Sequence, residues 1–240
     1  LGLLGLWLAG VIAVVVAMVK RSLFWRDRLT RVERLDDGPL FDALLEGSDP
    51  APYTPLRQAL TGETGAALTP DEIGAALARQ RKAFKTIRKR SRDWRVAGDP
   101  GTVLRTGLSK TWHRAAADME AARRGADAEA FHDWRKRIKD HWYHSRLLQG
   151  FWPGPIRAHR ETVKTLSELL GDYQDLSVFL GHLDRAELPE TAEDLRLRAL
   201  ARRDTLAYES RTLAAPLFAG GPDALPNDWS RHWKHWAKRH

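Results

Sequence analysis

The sequence predicts an all-α fold: an antiparallel helical bundle preceded by a hydrophobic N-terminal helix. Three observations carry this. No stretch sustains the two-residue alternation of β-branched and polar residues that a half-buried strand requires. Val, Ile and Thr are sparse beyond the first segment. Prolines and glycines fall between apolar-periodic stretches of helical length, and short breaks such as residues 150–154 favour antiparallel neighbours.

The elements follow in order. Residues 1–19 carry no charge, and nineteen residues at about 1.5 Å of rise nearly span a hydrocarbon core of roughly 30 Å. They read as a transmembrane or anchoring helix, which makes the membrane a candidate partner. Lys20, Arg21, Arg26, Arg28 and Arg31 follow it, and the positive-inside tendency places everything beyond them on the cytoplasmic side of an inner membrane. Residues 20–69 form this basic juxtamembrane segment and then a linker, because Gly38, Pro39, Gly47, Pro50, Pro52, Pro55, Gly62 and Gly65 allow only short helical pieces. A helical domain occupies residues 70–215. Thr69 as N-cap and Pro70-Asp71-Glu72 open its first helix, expected over 70–96. Further helices are expected over 102–124, 127–149, 155–170, 172–185 and 189–213. Residues 216–240 are a basic aromatic tail, in which Trp229, His232, Trp233, Lys234, Trp236, Lys238 and Arg239 mix rings and cations as single-strand nucleic-acid sites and membrane interfaces do. A frayed amphipathic helix explains the tail equally well.

Composition narrows the chemistry. Across 240 residues, 39 Lys and Arg stand against 31 Asp and Glu, so the partner is an anion: nucleic acid, acidic lipid headgroups or a phosphate polymer. Charge does not choose among them. With no cysteine there is no disulfide framework, thiolate nucleophile or Cys-based metal site. Gly-rich phosphate loops, the dinucleotide fingerprint and a serine nucleophile elbow are missing too. His141 and His144 are three apart, but neither a further His nor an HExxH arrangement completes a zinc ligand set. No catalytic residue, metal site or cofactor is therefore expected, and binding is favoured over catalysis.

The most informative segment is 131–148, FHDWRKRIKDHWYHSRLL. At about 100° per residue its side chains sort into two stripes. Phe131, Trp134, Ile138, Trp142 and Leu148 form the apolar one. His132, Arg135, Lys136, Lys139, Tyr143 and Arg146 share an adjacent arc, with Asp133 and Asp140 expected on another side. Arginine forks suit bidentate contact with phosphate oxygens, and lysines add point charge. Because the basic row abuts the core stripe, it is expected at a groove between helices. Residues 79–95 repeat the theme with nine cations in seventeen positions and Asp93 as the one acid. Set over the later helix, Arg81, Lys82 and Lys85 match Arg135, Lys136 and Lys139, the register of a degenerate internal repeat. Arg88 extends that row.

Two motifs in order, His132, Arg135, Lys136 and Lys139 and then Leu170, Gly171, Asp172, Asp175 and Leu176, resemble the CHAD family, the conserved histidine α-helical domain. The resemblance covers about residues 70–215. It implies a polyphosphate-binding helical domain of two similar bundles, often associated with polyphosphate granules, and it makes Leu170 to Leu176 a turn followed by a helix. Only one complete copy of the histidine-bearing helix is present, where the family carries two. The resemblance thus implies inorganic polyphosphate as partner, with His132, Arg135, Lys136 and Lys139 as binding residues, to which the basic rows themselves add Tyr143, Arg146, Arg81, Lys82, Lys85 and Arg88. Beside phosphate, His132 would donate a hydrogen bond and be driven toward its charged form. Asp172 and Asp175 read as structural, pairing with cations or capping the helix after Gly171. Two alternatives stand beside this: a nucleic-acid-binding helical protein, and an accessory half of a phosphohydrolase, which would need a metal site.

Overall fold

Among the described residues of the structure, a computed structural model, every regular element is helical. The structure describes residues 39–63, 69–93, 98–125, 127–184 and 191–239. The expected membrane helix at 1–19 and most of the basic juxtamembrane segment lie outside those residues. Among the described residues no helix is long and apolar enough to cross a membrane. In chain order the elements are α1 (Pro39–Leu44), a 3-10 turn (Ala51–Tyr53), α2 (Thr54–Glu63), α3 (Pro70–Ser91), α4 (Pro100–Arg124), α5 (Ala128–Leu148), a second 3-10 turn (Gln149–Phe151), α6 (Pro153–Leu183), α7 (Thr191–Phe218) and α8 (Ala224–Ala237).

Local chemistry sets the helix starts. Thr69 caps α3 in a capping box: the Glu72 N–H donates to Thr69 Oγ1 at 3.3 Å, and the Thr69 N–H donates to Glu72 Oε2 at 2.8 Å. Asp99 caps α4 by accepting from the Thr102 N–H at 2.8 Å, and Asp127 caps α5 by accepting from the Glu129 N–H at 3.0 Å. Proline occupies the first turn of α3, α4 and α6, where its missing N–H costs nothing.

Helices α4, α5, α6 and α7 pack as successive neighbours, and α8 returns to lie against α4. Their shared core holds Trp112 and Ala115 of α4, Phe131, Trp134 and Ile138 of α5, Val163, Leu166, Leu170, Tyr173, Leu176 and Phe179 of α6, and Leu195, Leu206 and Ala214 of α7. Phe131 stacks on Tyr173 with ring centroids 3.9 Å apart, and Trp112 stacks on Phe218 at 4.2 Å. The first contact fixes how α5 faces α6, and so sets the groove described below, and the second ties α4 to α7.

Four sequence expectations are revised. First, 155–170 and 172–185 are not separate helices: α6 runs unbroken through Gly171. One glycine inside a helix costs about 1 kcal/mol, whereas burying a Leu or aromatic side chain contributes about 1.5–3 kcal/mol, and Leu166, Leu170, Tyr173 and Leu176 are all fully buried around it. Second, the Pro/Gly-rich stretch does contain short helical pieces, but they are packed. Phe41, Leu44, Leu45, Tyr53 and Leu56 join the core, Phe41 meets Phe179 edge-on, and the Tyr53 hydroxyl donates to Asp194. Third, the tail is the packed helix α8, because Trp229 is buried with Leu108 and Ile156 in a second apolar cluster. Gly101 makes that approach possible, since a Cβ there would stand 2.8 Å from Lys234 Cε and 3.2 Å from a Trp233 ring carbon. Fourth, α3 ends at Ser91 and packs on no described element to a comparable degree. Ile73 and Leu77 are 45% and 49% exposed. Its capping box, with Asp71 and Glu72 in the first turn and Arg88, Lys89 and Arg90 in the last, opposes charge to the helix dipole at both ends.

Candidate functional site

The face that α5 buries is centred on Phe131, Trp134, Ile138, His141 and Ser145, spaced three and four apart. That places the next row of the helix at its seam with α6. Arg135, Lys139, Trp142, Tyr143 and Arg146 of α5 line a groove of about 390 Å³. The opposite wall is α6, with Lys164, Ser167, Glu168, Gly171, Asp172 and Asp175. Continuity of α6 makes this wall, because those residues fall at i, i+3, i+4, i+7, i+8 and i+11, one face of one helix. Gly171 is buried, and a Cβ on it would stand 3.5 Å from Nε and Nη2 of Arg135. That is ordinary van der Waals contact, so the Arg135 guanidinium lies against this stretch of α6 without requiring a glycine there.

The structure gathers some of the sequence-predicted residues and separates others. Arg135, Lys139, Tyr143 and Arg146 share the groove. His132 is half-buried and does not line it, and its Nδ1 has no hydrogen-bond partner. Lys136 is turned away into an ion pair, its Nζ 2.5 Å from Asp133 Oδ1. Asp133 is thus not on another side of the helix; three residues before Lys136, it is within reach of an i, i+3 pair. That hydrogen bond holds the Asp133 carboxyl below its usual range. Arg81, Lys82, Lys85 and Arg88 are exposed on α3, and none of them lines the groove.

Sequence reasoning missed Lys164, whose Nζ lies 3.3 Å from Glu168 Oε1, and it read Trp142 as core when that ring also faces the groove. A signal for Lys164 existed: it lies seven and eleven residues before Gly171 and Asp175, on the same face of an unbroken helix. Asp172 caps nothing, being inside α6. Burial, then the neighbouring Asp175, push its carboxyl above the usual range, against the opposing pull of Arg202 and Arg135. The groove thus sets four cations, Arg135, Lys139, Arg146 and Lys164, against three carboxylates, Glu168, Asp172 and Asp175.

Behind the groove, His141 is fully buried and its Nε2 lies 2.8 Å from His159 Nε2. Trp112 and Trp229 cover the His141 ring at 4.2 and 5.5 Å. Desolvation holds His141 well below its ordinary value and His159 at about 4, so at neutral pH one neutral imidazole donates to the other. His141 is thereby engaged with His159 in the core. Among the described residues no group of three or more His, Asp or Glu is placed to hold a metal ion.

The fold and groove together define an all-α bundle with a cation-lined seam between two core helices. The CHAD domain family model matches residues 24–184, and the chain belongs to the CHAD domain family. That match begins well before residue 70 and takes in α1 and α2, consistent with their packing into the core. Neither the curated proteins nor the solved structures gave a match to this chain.

Proposed function

We propose that this chain binds inorganic polyphosphate along the α5 wall of the α5–α6 groove, as a binding module and not as an enzyme. One observation carries the reading: Arg135, Lys139, Arg146 and Lys164 line a single groove. Arg146 is exposed and makes no ion pair among the described residues, so it meets an incoming phosphate without first giving up a partner. Arg135 brings a planar fork suited to two phosphate oxygens. The exposed α3 row, Arg81, Lys82, Lys85 and Arg88, supplies a second basic surface that a long flexible polymer can reach. Binding takes place on the cytoplasmic side, with residues 1–19 as an inner-membrane anchor and polyphosphate granules as a further location.

A second reading, single-stranded nucleic acid, is favoured by one feature: Trp142 and Tyr143 line the same groove, and bases stack on such rings. Replacing Arg135, Lys139 and Arg146 together by Ala, and following retention of long-chain polyphosphate by gel shift, tests the proposal. Retention is expected to be lost while the melting temperature holds. Unchanged retention would remove the groove from consideration, and a loss of single-stranded DNA binding that polyphosphate cannot compete away would favour the second reading.

A further inference from the structure

We infer that Glu168 and Asp172, on the α6 wall, are built-in competitors for the groove's cations and give the groove a preference for long phosphate chains over short ones. The inference rests on the reading of the groove as a phosphate-polymer site. Glu168 already engages Lys164 at 3.3 Å. Asp172 follows Gly171, against which the Arg135 guanidinium lies, and it feels the attraction of both Arg135 and Arg202. Desolvation and the nearby Asp175 push its carboxyl upward, although the side chain remains exposed at the groove.

An anion that seats on Lys164 has to displace the tethered Glu168 carboxylate, and at Arg135 it competes with the attraction of Asp172, while Arg146 is open to it from the start. A tethered group acts at high effective concentration, so a single phosphate gains little by the exchange. A long chain differs, because once one phosphate is seated the next is itself tethered, and the carboxylates are displaced one after another. Each remaining carboxylate also repels the bound chain across the groove. The acidic wall therefore penalises short anions most.

The test uses the isosteric substitutions Glu168→Gln and Asp172→Asn, singly and together, in the full chain. Calorimetric titrations with orthophosphate, tripolyphosphate and long-chain polyphosphate read the effect. The double variant is expected to bind tripolyphosphate about tenfold more tightly, the scale of removing a like charge from a partly exposed site. Long-chain affinity should move much less, so the ratio between the two falls. An unchanged ratio, with all proteins binding, overturns the inference and leaves the polyphosphate reading standing. If only the variants bind, the carboxylates close the groove to every anion, and both the chain-length preference and the reading of the natural chain as a polyphosphate holder fall. If no protein binds any of the three, both fall. Weaker binding by the variants, with magnesium strengthening binding by the natural chain alone, would make the carboxylates cation ligands and also overturns it. Glu168 is 60% exposed, so Glu168→Gln alone carries the test should Asp172→Asn fail to fold.

Discussion

His141 and His159 carry the strongest consequence at the scale of single residues. Each is held below its ordinary value of 6.5 by burial, His159 to about 4. Well above pH 6.5 both are neutral whether the chain is folded or unfolded, and they contribute no pH dependence. As pH falls from 6.5 toward about 4, the unfolded chain binds protons that the folded chain cannot, so stability falls across that window. For His159 alone the loss reaches about 3 kcal/mol. Denaturant titrations between pH 7.5 and 4.5 should show this decline, and His159→Gln, which keeps a hydrogen-bonding group without an imidazole, should flatten it. An identical slope in both proteins would contradict the assignment. Phe131, Trp134, Ile138 and the cations beside them were legible in the sequence, because helical periodicity alone separates a buried stripe from its flank. The histidine pair was not, since His159 lies on another helix and the local spacing of His141 and His144 pointed elsewhere.

Among the elements, α6 departs furthest from what its sequence suggested. Gly171 and two aspartates invite a turn, yet the glycine is buried in mid-helix with room for a Cβ in ordinary contact with Arg135. Gly171→Ala should therefore raise stability by about 0.5–1 kcal/mol, read as a shift of the denaturation midpoint. If the segment were a turn that needs glycine, the same substitution would destabilise. Helix positions and the Thr69 cap elsewhere were readable because a capping side chain acts on its own next turn, as Asp99 and Asp127 also do. Packing of α1, α2 and α8 was harder to read: Phe41 and Trp229 gain their burial from helices distant in sequence, and no local pattern records that.

Over the whole molecule, the distribution of charge matters more than its sum. The two richest basic segments, α3 and α5, do not share a surface: α5 faces α6 across a groove, while α3 stands exposed and lines none of it. Four of the six residues of the basic row on α5 line the seam, because a stripe next to the core must meet a neighbouring helix. Which helix that would be, and that it would bring three carboxylates, depended on the register of α5 against α6, set by contacts such as Phe131 on Tyr173. The most direct measurement is a hydrogen-exchange footprint of the full chain with and without long-chain polyphosphate. Protection should rise along residues 135–146 of α5 and 164–175 of α6. A footprint confined to α3 or to α8, with those two stretches unchanged, would contradict the assignment of the groove.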